Sequence, residues 1–352
     1  MQNPFTTTFS KIPQYTYIQT EQIKNILDNF SFDNPSESVY KITGVRGSGK
    51  TVLLAKIEES MANKAKETGK WLVYRLSPSR DMLQQLAAYL SKEPSIKNAG
   101  RIKNSSLSTK LPAISANVEF SPEKKTIYND VGTDIEEMLS SASEKGKNIF
   151  IGIDEVSRNN YMVDFASEFG KWLRSGYPVY LVCTGLYDNI EKLANVKNLT
   201  FFRRATTIKT EMLSFIRMSE MYKAKLNIDL ERAKELAKAT KGYPYAFQEL
   251  GILYFNKDRL STLEDLRIEL YAYSYEKIWK ELSHEEKNFL LAIPDDGYFE
   301  RKDIIPRMEK PANYSVYRER LLRKGVLSNF NNTLSLALPY FWDFIQEYGK
   351  GM

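Results

Sequence analysis

Two rhythms of apolar positions run along this chain, and the change from one to the other divides it. Short stretches such as SVYKIT (38–43), KWLVYRL (70–76), KNIFIGID (147–154) and YPVYLVCT (177–184) are almost continuously apolar and rich in β-branched and aromatic residues. That pattern predicts strands buried on both faces. Between them lie stretches with apolar residues at helical spacing, the clearest being TVLLAKIEESMANKAKE (51–67). Strand and helix therefore alternate, which predicts an α/β fold: a parallel sheet with helices on both faces. NLTFFRR (198–204) reads as a fifth strand, and EQIKNILDNF (21–30) as an amphipathic helix in an N-terminal segment, 1–36. Residues 95–125 break the rhythm, being polar with short alternating pieces, and read as a hairpin-like insertion or mobile loop within a core spanning 37–210.

From 211 to 282 the period is helical throughout. The remainder, 283–352, changes again. SHEEKNFLLAI opens on a serine N-cap, ERKDIIPRM and NYSVYRERLLRKG follow as further helices, and VLSNFNNTLSLALP reads as two strands around an Asn-Asn turn. Three helices and a hairpin in that order predict a C-terminal winged helix-turn-helix behind the helical segment.

Composition narrows the chemistry. With 352 residues and 42% hydrophobic content the chain can bury real cores. No run approaches the ~18 apolar residues of a membrane span, and the N-terminus has no apolar leader, so a soluble, cytoplasmic protein without membrane contact is expected. One cysteine, Cys183, excludes intrachain disulfides and cysteine-cluster metal sites. One histidine, His284, excludes multi-histidine zinc sites and the histidine pairings of hydrolases; it reads as an exposed helix-start residue. The net charge of +6 permits nucleic-acid contact without requiring it.

The richest local signal is GVRGSGKT (44–51), in which Gly44, Gly49, Lys50 and Thr51 have the P-loop spacing. Backbone N–H groups in such a loop wrap phosphate oxygens, the lysine neutralises them and the threonine hydroxyl serves Mg²⁺. A strand precedes the loop and a helix follows it, as the chemistry requires. Gly44, Arg46, Gly47, Ser48, Gly49, Lys50, Thr51 and Val52 are therefore candidate nucleotide contacts. Hydrolysis needs carboxylates as well. NIFIGIDEVS delivers Asp154 to the end of a buried strand as a Mg²⁺ ligand beside Thr51, with Glu155 following in the place of a general base.

Three further features carry two readings each. Thr184 either senses the terminal phosphate or caps the helix that begins near Tyr187. Arg203 and Arg204, at the start of the expected fifth strand, are either an arginine finger offered to a neighbouring subunit or a surface pair. Gly242 and Pro244, in KGYPYAFQELG, mark either a lid over the nucleotide or an ordinary proline-started helix. The candidate catalytic set is thus Glu155, Lys50, Arg203 and Arg204, with Thr184 and Pro244 added to the nucleotide contacts. A guanine-type Asn-Lys-x-Asp motif is not present: NKDR (256–259) has its aspartate one place early and lies outside the α/β region.

With these residues together, the chain resembles the P-loop ATPases with an inserted central strand, specifically the AAA-like group of archaeal-type ATPases, origin-recognition-like initiators and STAND signalling ATPases. NPFTTTF, GVRGSGKTVLL, IGIDEV, FFRRA and GYPYAFQELG fall in the order seen in bacterial ATP-binding members. The resemblance implies ATP and Mg²⁺ as ligands, phosphate and metal contacts from Gly47, Gly49, Lys50, Thr51 and Asp154, Glu155 as base, a lid at Gly242 and Pro244, and then a winged helix. Two departures stand out. Members often carry Gly-Arg before the first helix where this chain has Gln19 and Thr20, and no arginine stands beside Gly242, Lys241 being the nearest cation. The implied function is an ATP-hydrolysing regulator whose nucleotide state controls the winged helix on DNA, acting alone, as a homo-oligomer or with a protein partner. The alternative is an ATP-dependent protein-interaction switch without DNA contact. Residues 301–324 hold eight Lys or Arg against three acids, whereas 257–352 as a whole hold fifteen basic and sixteen acidic residues.

Overall fold

The computed structural model describes residues 2–8, 11–32, 35–96, 130–256, 262–331 and 333–349. Most of the expected insertion at 95–125 lies outside them, as does most of NKDR. Five parallel strands form the central sheet: β1 (Val39–Thr43), β2 (Trp71–Leu76), β3 (Asn148–Ile153), β4 (Val179–Gly185) and β5 (Thr206–Lys209), in the order β2-β3-β4-β1-β5. The three inner strands are buried along almost their whole length, which explains why their sequences run apolar without alternating. Where β2 and β5 reach the edges, polar residues return. Strand β4 is inserted between β1 and β3, its Val182 opposite Tyr40 on one side and Gly152 on the other. The C-terminal ends of three strands therefore meet in one place.

One face of the sheet is covered by α1 (Glu21–Ser31) and α2 (Lys50–Thr68). Phe30 of α1 anchors this layer, its ring 5.7 Å from Tyr40 and Phe150, 5.8 Å from Tyr180 and 6.1 Å from Trp71. The other face carries α3 (Met82–Leu90), α4 (Val131–Glu144), α5 (Asn160–Arg174), α6 (Tyr187–Ala194) and α7 (Thr200–Arg204). Helix α7 corrects the reading of NLTFFRR as a strand. Leu199 and Phe202, three apart, turn the same way into the core, and the N–H of Arg203 donates to the Leu199 carbonyl at 3.1 Å. A short apolar run can satisfy either period, and here burial of one helical stripe decides it. The fifth strand starts later, at Thr206.

The helical segment consists of α8 (Phe215–Leu226), α9 (Leu230–Ala239), α10 (Pro244–Asn256), α11 (Thr262–Leu270), a π-helical turn at Tyr271–Tyr275 and α12 (Glu276–Glu281). Next come α13 (His284–Leu291), α14 (Arg301–Ile304), α15 (Tyr314–Lys324), the antiparallel pair β6 (Leu327–Phe330) and β7 (Thr333–Leu336), and α16 (Phe341–Phe344). Phe299 bridges to Leu334 and adds a third strand position to the hairpin. Ser283 and Glu286 cap α13 reciprocally, and His284 is its exposed first residue. The expected helix over ERKDIIPRM is only four residues of α-helix before a tighter turn at Ile305–Arg307, because Pro306 supplies no N–H. One hydrophobic cluster runs from α8 through the π-helical turn into α16, so the last 70 or so residues share a core with the helices before them. Among the described residues no helix is long and apolar enough to cross a membrane.

Candidate nucleotide site

The loop between β1 and α2 is shaped by glycines and held from several sides. Gly49 occupies the N-cap position of α2 with no side-chain cap, so the first N–H groups of this 19-residue helix point into the loop without a side-chain acceptor of their own. Lys50, in the first turn, donates to the carbonyls of Gly44 at 2.9 Å and Val45 at 2.7 Å. Burial pushes its ammonium down to about 8, with Asp154 pulling the other way. Ser48 is buried and accepts from the Thr210 hydroxyl at 2.9 Å, which ties the loop to the end of β5. Gly47 has φ +71 and packs so closely on Tyr243 that a Cβ would lie 2.2 Å from the Tyr243 hydroxyl oxygen.

At the neighbouring strand ends the carboxylate site assembles as the sheet order dictates. Thr51 Oγ1 donates to Asp154 Oδ1 at 3.3 Å. The Thr184 hydroxyl also donates to Asp154 Oδ1, and the N–H of Glu155 reaches Asp154 Oδ1 at 3.1 Å and Thr184 Oγ1 at 3.2 Å. Of the two readings for Thr184, the capping one fails: Leu186 is the N-cap of α6, and the Thr184 side chain is fully buried against the acidic pair. Glu155 has φ 55, a left-handed conformation unfavourable for a residue with a Cβ, and it holds the exposed carboxylate at the cleft. Behind Asp154 stands a pair that sequence patterning missed. Arg75 lies 3.9 Å from Asp154 Oδ2 and 3.4 Å from Glu58 Oε1, and burial raises Glu58 to about 7 against the pull of Arg75. Arg75 sits where β2 approaches solvent, so its alternation looks like an ordinary edge position.

These elements open onto a cleft of about 480 Å³, large enough for a nucleotide. Arg46, Gly47, Ser48, Gly49, Lys50, Thr51, Val52, Glu155 and Pro244 all line it. Gly44 contributes through its carbonyl to Lys50, and Thr184 through Asp154. Gly242 and Pro244 stand at the start of α10, beside the loop between β1 and α2, Pro244 facing Gly49. Gly242, at φ +78, leaves room for Leu213 and Met212, and α10 then starts against the loop, with the Tyr245 N–H donating to the Gly47 carbonyl at 3.1 Å. The Tyr243 hydroxyl donates to the Arg46 carbonyl at 2.5 Å and pairs with Ser274 Oγ at 2.9 Å. The opposite wall comes from the N-terminal segment, including Tyr17, Ile18 and Gln22, which sequence reading left without a role. Arg203 and Arg204 do not line the cleft of their own chain. Both are exposed on α7, Arg203 Nε reaching the Ala194 carbonyl at 3.4 Å.

The donor set fits a nucleoside triphosphate with Mg²⁺: an ammonium and helix N-terminal amides for phosphate, and Thr51 Oγ1 beside Asp154 for the metal. Fold and site together have the form of a P-loop domain: a parallel sheet in the order β2-β3-β4-β1-β5 with a glycine loop between β1 and α2. No family model and no curated protein matches the sequence. A solved structure shares the fold. The ORC2 protein of Aeropyrum pernix, in its ADPNP-ADP complexes, superposes with a TM-score of 0.52 at 11% identity, over 93% of this chain and 91% of that one. Cdc6p from Pyrobaculum aerophilum gives 0.46 at 15% identity over 96% and 94%, and AMPPCP-bound DnaA from Aquifex aeolicus gives 0.40 at 14% over 89% and 92%.

Proposed function

We propose that this chain is an ATP-binding, Mg²⁺-dependent ATP-hydrolysing regulator whose nucleotide state controls the C-terminal helix-and-hairpin unit, a winged helix acting on duplex DNA. The observation that carries the reading is that Lys50, Thr51 and Glu155 line one cleft, with Asp154 hydrogen-bonded to Thr51 and Thr184 behind them and α10 bonded to the loop between β1 and α2. In this reading Lys50 and the α2 amides hold phosphate oxygens, while Thr51 and Asp154 hold Mg²⁺, which supplies neutralisation of phosphate charge. Glu155 takes the proton of the attacking water. Thr184, through its bond to Asp154, fixes the carboxylates relative to β4.

The DNA part rests on the basic stretch 301–324, and the geometry limits it. Lys324 is only 11% exposed and lies 2.7 Å from Glu286 and 2.8 Å from Asp188 of α6, while Arg323 Nη1 donates to the Tyr187 hydroxyl at 3.0 Å. With α15 docked in this way, Arg318 and Arg320 are the charges on it that can still meet phosphates, although Arg320 Nε also lies 3.6 Å from Glu286 Oε1. Fluorescence anisotropy on duplex DNA across a salt series, with and without ATP, tests the reading. We expect ATP-dependent binding with a slope of log K against log salt of about −2, abolished by Arg318→Glu with Arg320→Glu. Absence of binding at low salt, or indifference to both reversals, sinks the DNA reading. The docking of α15 on the core also favours a second reading, a protein-interaction switch in which the same unit packs on the core in one nucleotide state and on a partner in the other.

A further inference from the structure

Helix α12 brings a cation to the cleft that no sequence motif marks. Lys277 lines the same cavity as the loop between β1 and α2, and among the described residues its ammonium makes no ion pair, whereas the neighbouring Lys280 pairs with Glu276. Instead it stands 5.3 Å over the ring of Tyr273, which stacks on Tyr245 with centroids 4.1 Å apart and planes 7° from parallel. Tyr245 in turn gives its N–H to Gly47, at the apex of the loop. Lys277 and the loop around Gly47 thus line one cleft, where a flexible ammonium can reach an anionic ligand.

Two further features aim it there. The π-helical turn Tyr271–Tyr275 widens the helix just before α12, and π-turns of this kind recur at functional sites. Its Ser274 is bonded to Tyr243, which also holds the Arg46 carbonyl. One turn beyond Lys277, Glu281 grips Arg46 of the loop, Oε1 lying 2.8 Å from Nε and 2.7 Å from Nη2. Glu281 thus ties the end of α12 directly to the loop, and the π-helical turn before α12 is tied to it through Tyr243, with Lys277 between.

We propose that Lys277 contacts the phosphates of the bound nucleotide, positioned by the Arg46–Glu281 clasp. This inference rests on the nucleotide reading of the cleft and adds to it the phosphate contact that the absence of an arginine beside Gly242 left open. The test is displacement of a fluorescent ATP analogue by ATP and by adenosine, in the full chain and in Lys277→Met, Lys277→Arg and Lys50→Ala variants. Lys277→Met is expected to weaken ATP about tenfold and adenosine less than about twofold, with Lys277→Arg within about threefold of the unmodified chain for ATP. Unaltered ATP affinity in Lys277→Met overturns the inference, as does equal weakening of ATP and adenosine, which would make Lys277 a packing residue on Tyr273. Failure of the nucleotide reading itself is distinguishable, because Lys50→Ala would then bind ATP like the unmodified chain.

Discussion

In the proposed hydrolysis Glu155 and Thr184 carry the chemistry at the smallest scale, and each can be changed without altering its shape. Glu155→Gln should leave ATP affinity within about threefold but remove most hydrolysis in a steady-state phosphate-release assay, since the amide cannot take a proton; turnover retained within about twofold would place the base elsewhere. Thr184→Val removes the hydroxyl that bonds Asp154 and accepts from the Glu155 N–H. It should slow hydrolysis by roughly tenfold, with Thr184→Ser restoring it, because what is lost is orientation of the acidic pair rather than volume. The candidate residues that sequence made legible are the ones whose chemistry is local. Eight consecutive residues carry the P-loop spacing, and a buried strand followed by Asp-Glu needs no distant partner to be noticed. Arg75, Glu58 and Lys277 were illegible for the opposite reason: each matters through a neighbour far away in sequence, and on its own looks like a solvated charge.

Among the elements, the lid contact is the most exposed to test. The Tyr243 hydroxyl is buried between Arg46 and Ser274, so Tyr243→Phe leaves a carbonyl of the loop without that donor. A loss of about 1–2 kcal/mol in urea unfolding is expected, with weaker ATP binding; an unchanged midpoint would mean the lid is held by packing alone. Legibility at this scale followed periodicity. Strands β1, β3 and β4 are buried on both faces and announce themselves as apolar runs. Helix α7 does not, because five residues with two adjacent phenylalanines fit a strand equally well until one knows that Phe202 faces the core while Phe201 packs on Phe169. The N-terminal wall of the cleft was illegible too, since Tyr17 and Ile18 sit in irregular chain with no period to read.

For the whole molecule the question is how the C-terminal unit and neighbouring chains couple to the cleft. Lys324 joins the fully buried Glu286 to Asp188 on the core, so Lys324→Met leaves that carboxylate with only the Ser283 N–H at 2.8 Å and Arg320 Nε at 3.6 Å; destabilisation of about 2 kcal/mol is expected in urea unfolding, and less than about 1 kcal/mol for Asp188→Asn, whose side chain is partly exposed. Equal midpoints for all three proteins would mean α15 is not locked by this cluster. The exposed Arg203 and Arg204 lie outside their own cleft. If they serve a neighbour's, hydrolysis per chain must rise with protein concentration, and mixing an Arg203→Ala, Arg204→Ala chain with a Lys50→Ala chain must restore part of the activity; concentration-independent turnover marks them as a surface pair. All of this depends on nucleotide being held where Lys50 meets the loop. Calorimetric titration of ATP with Mg²⁺ into the full chain and into Lys50→Ala tests that directly: micromolar affinity for the first and a loss of about tenfold or more for the second is the expected result, and equal affinity for both proteins would contradict it.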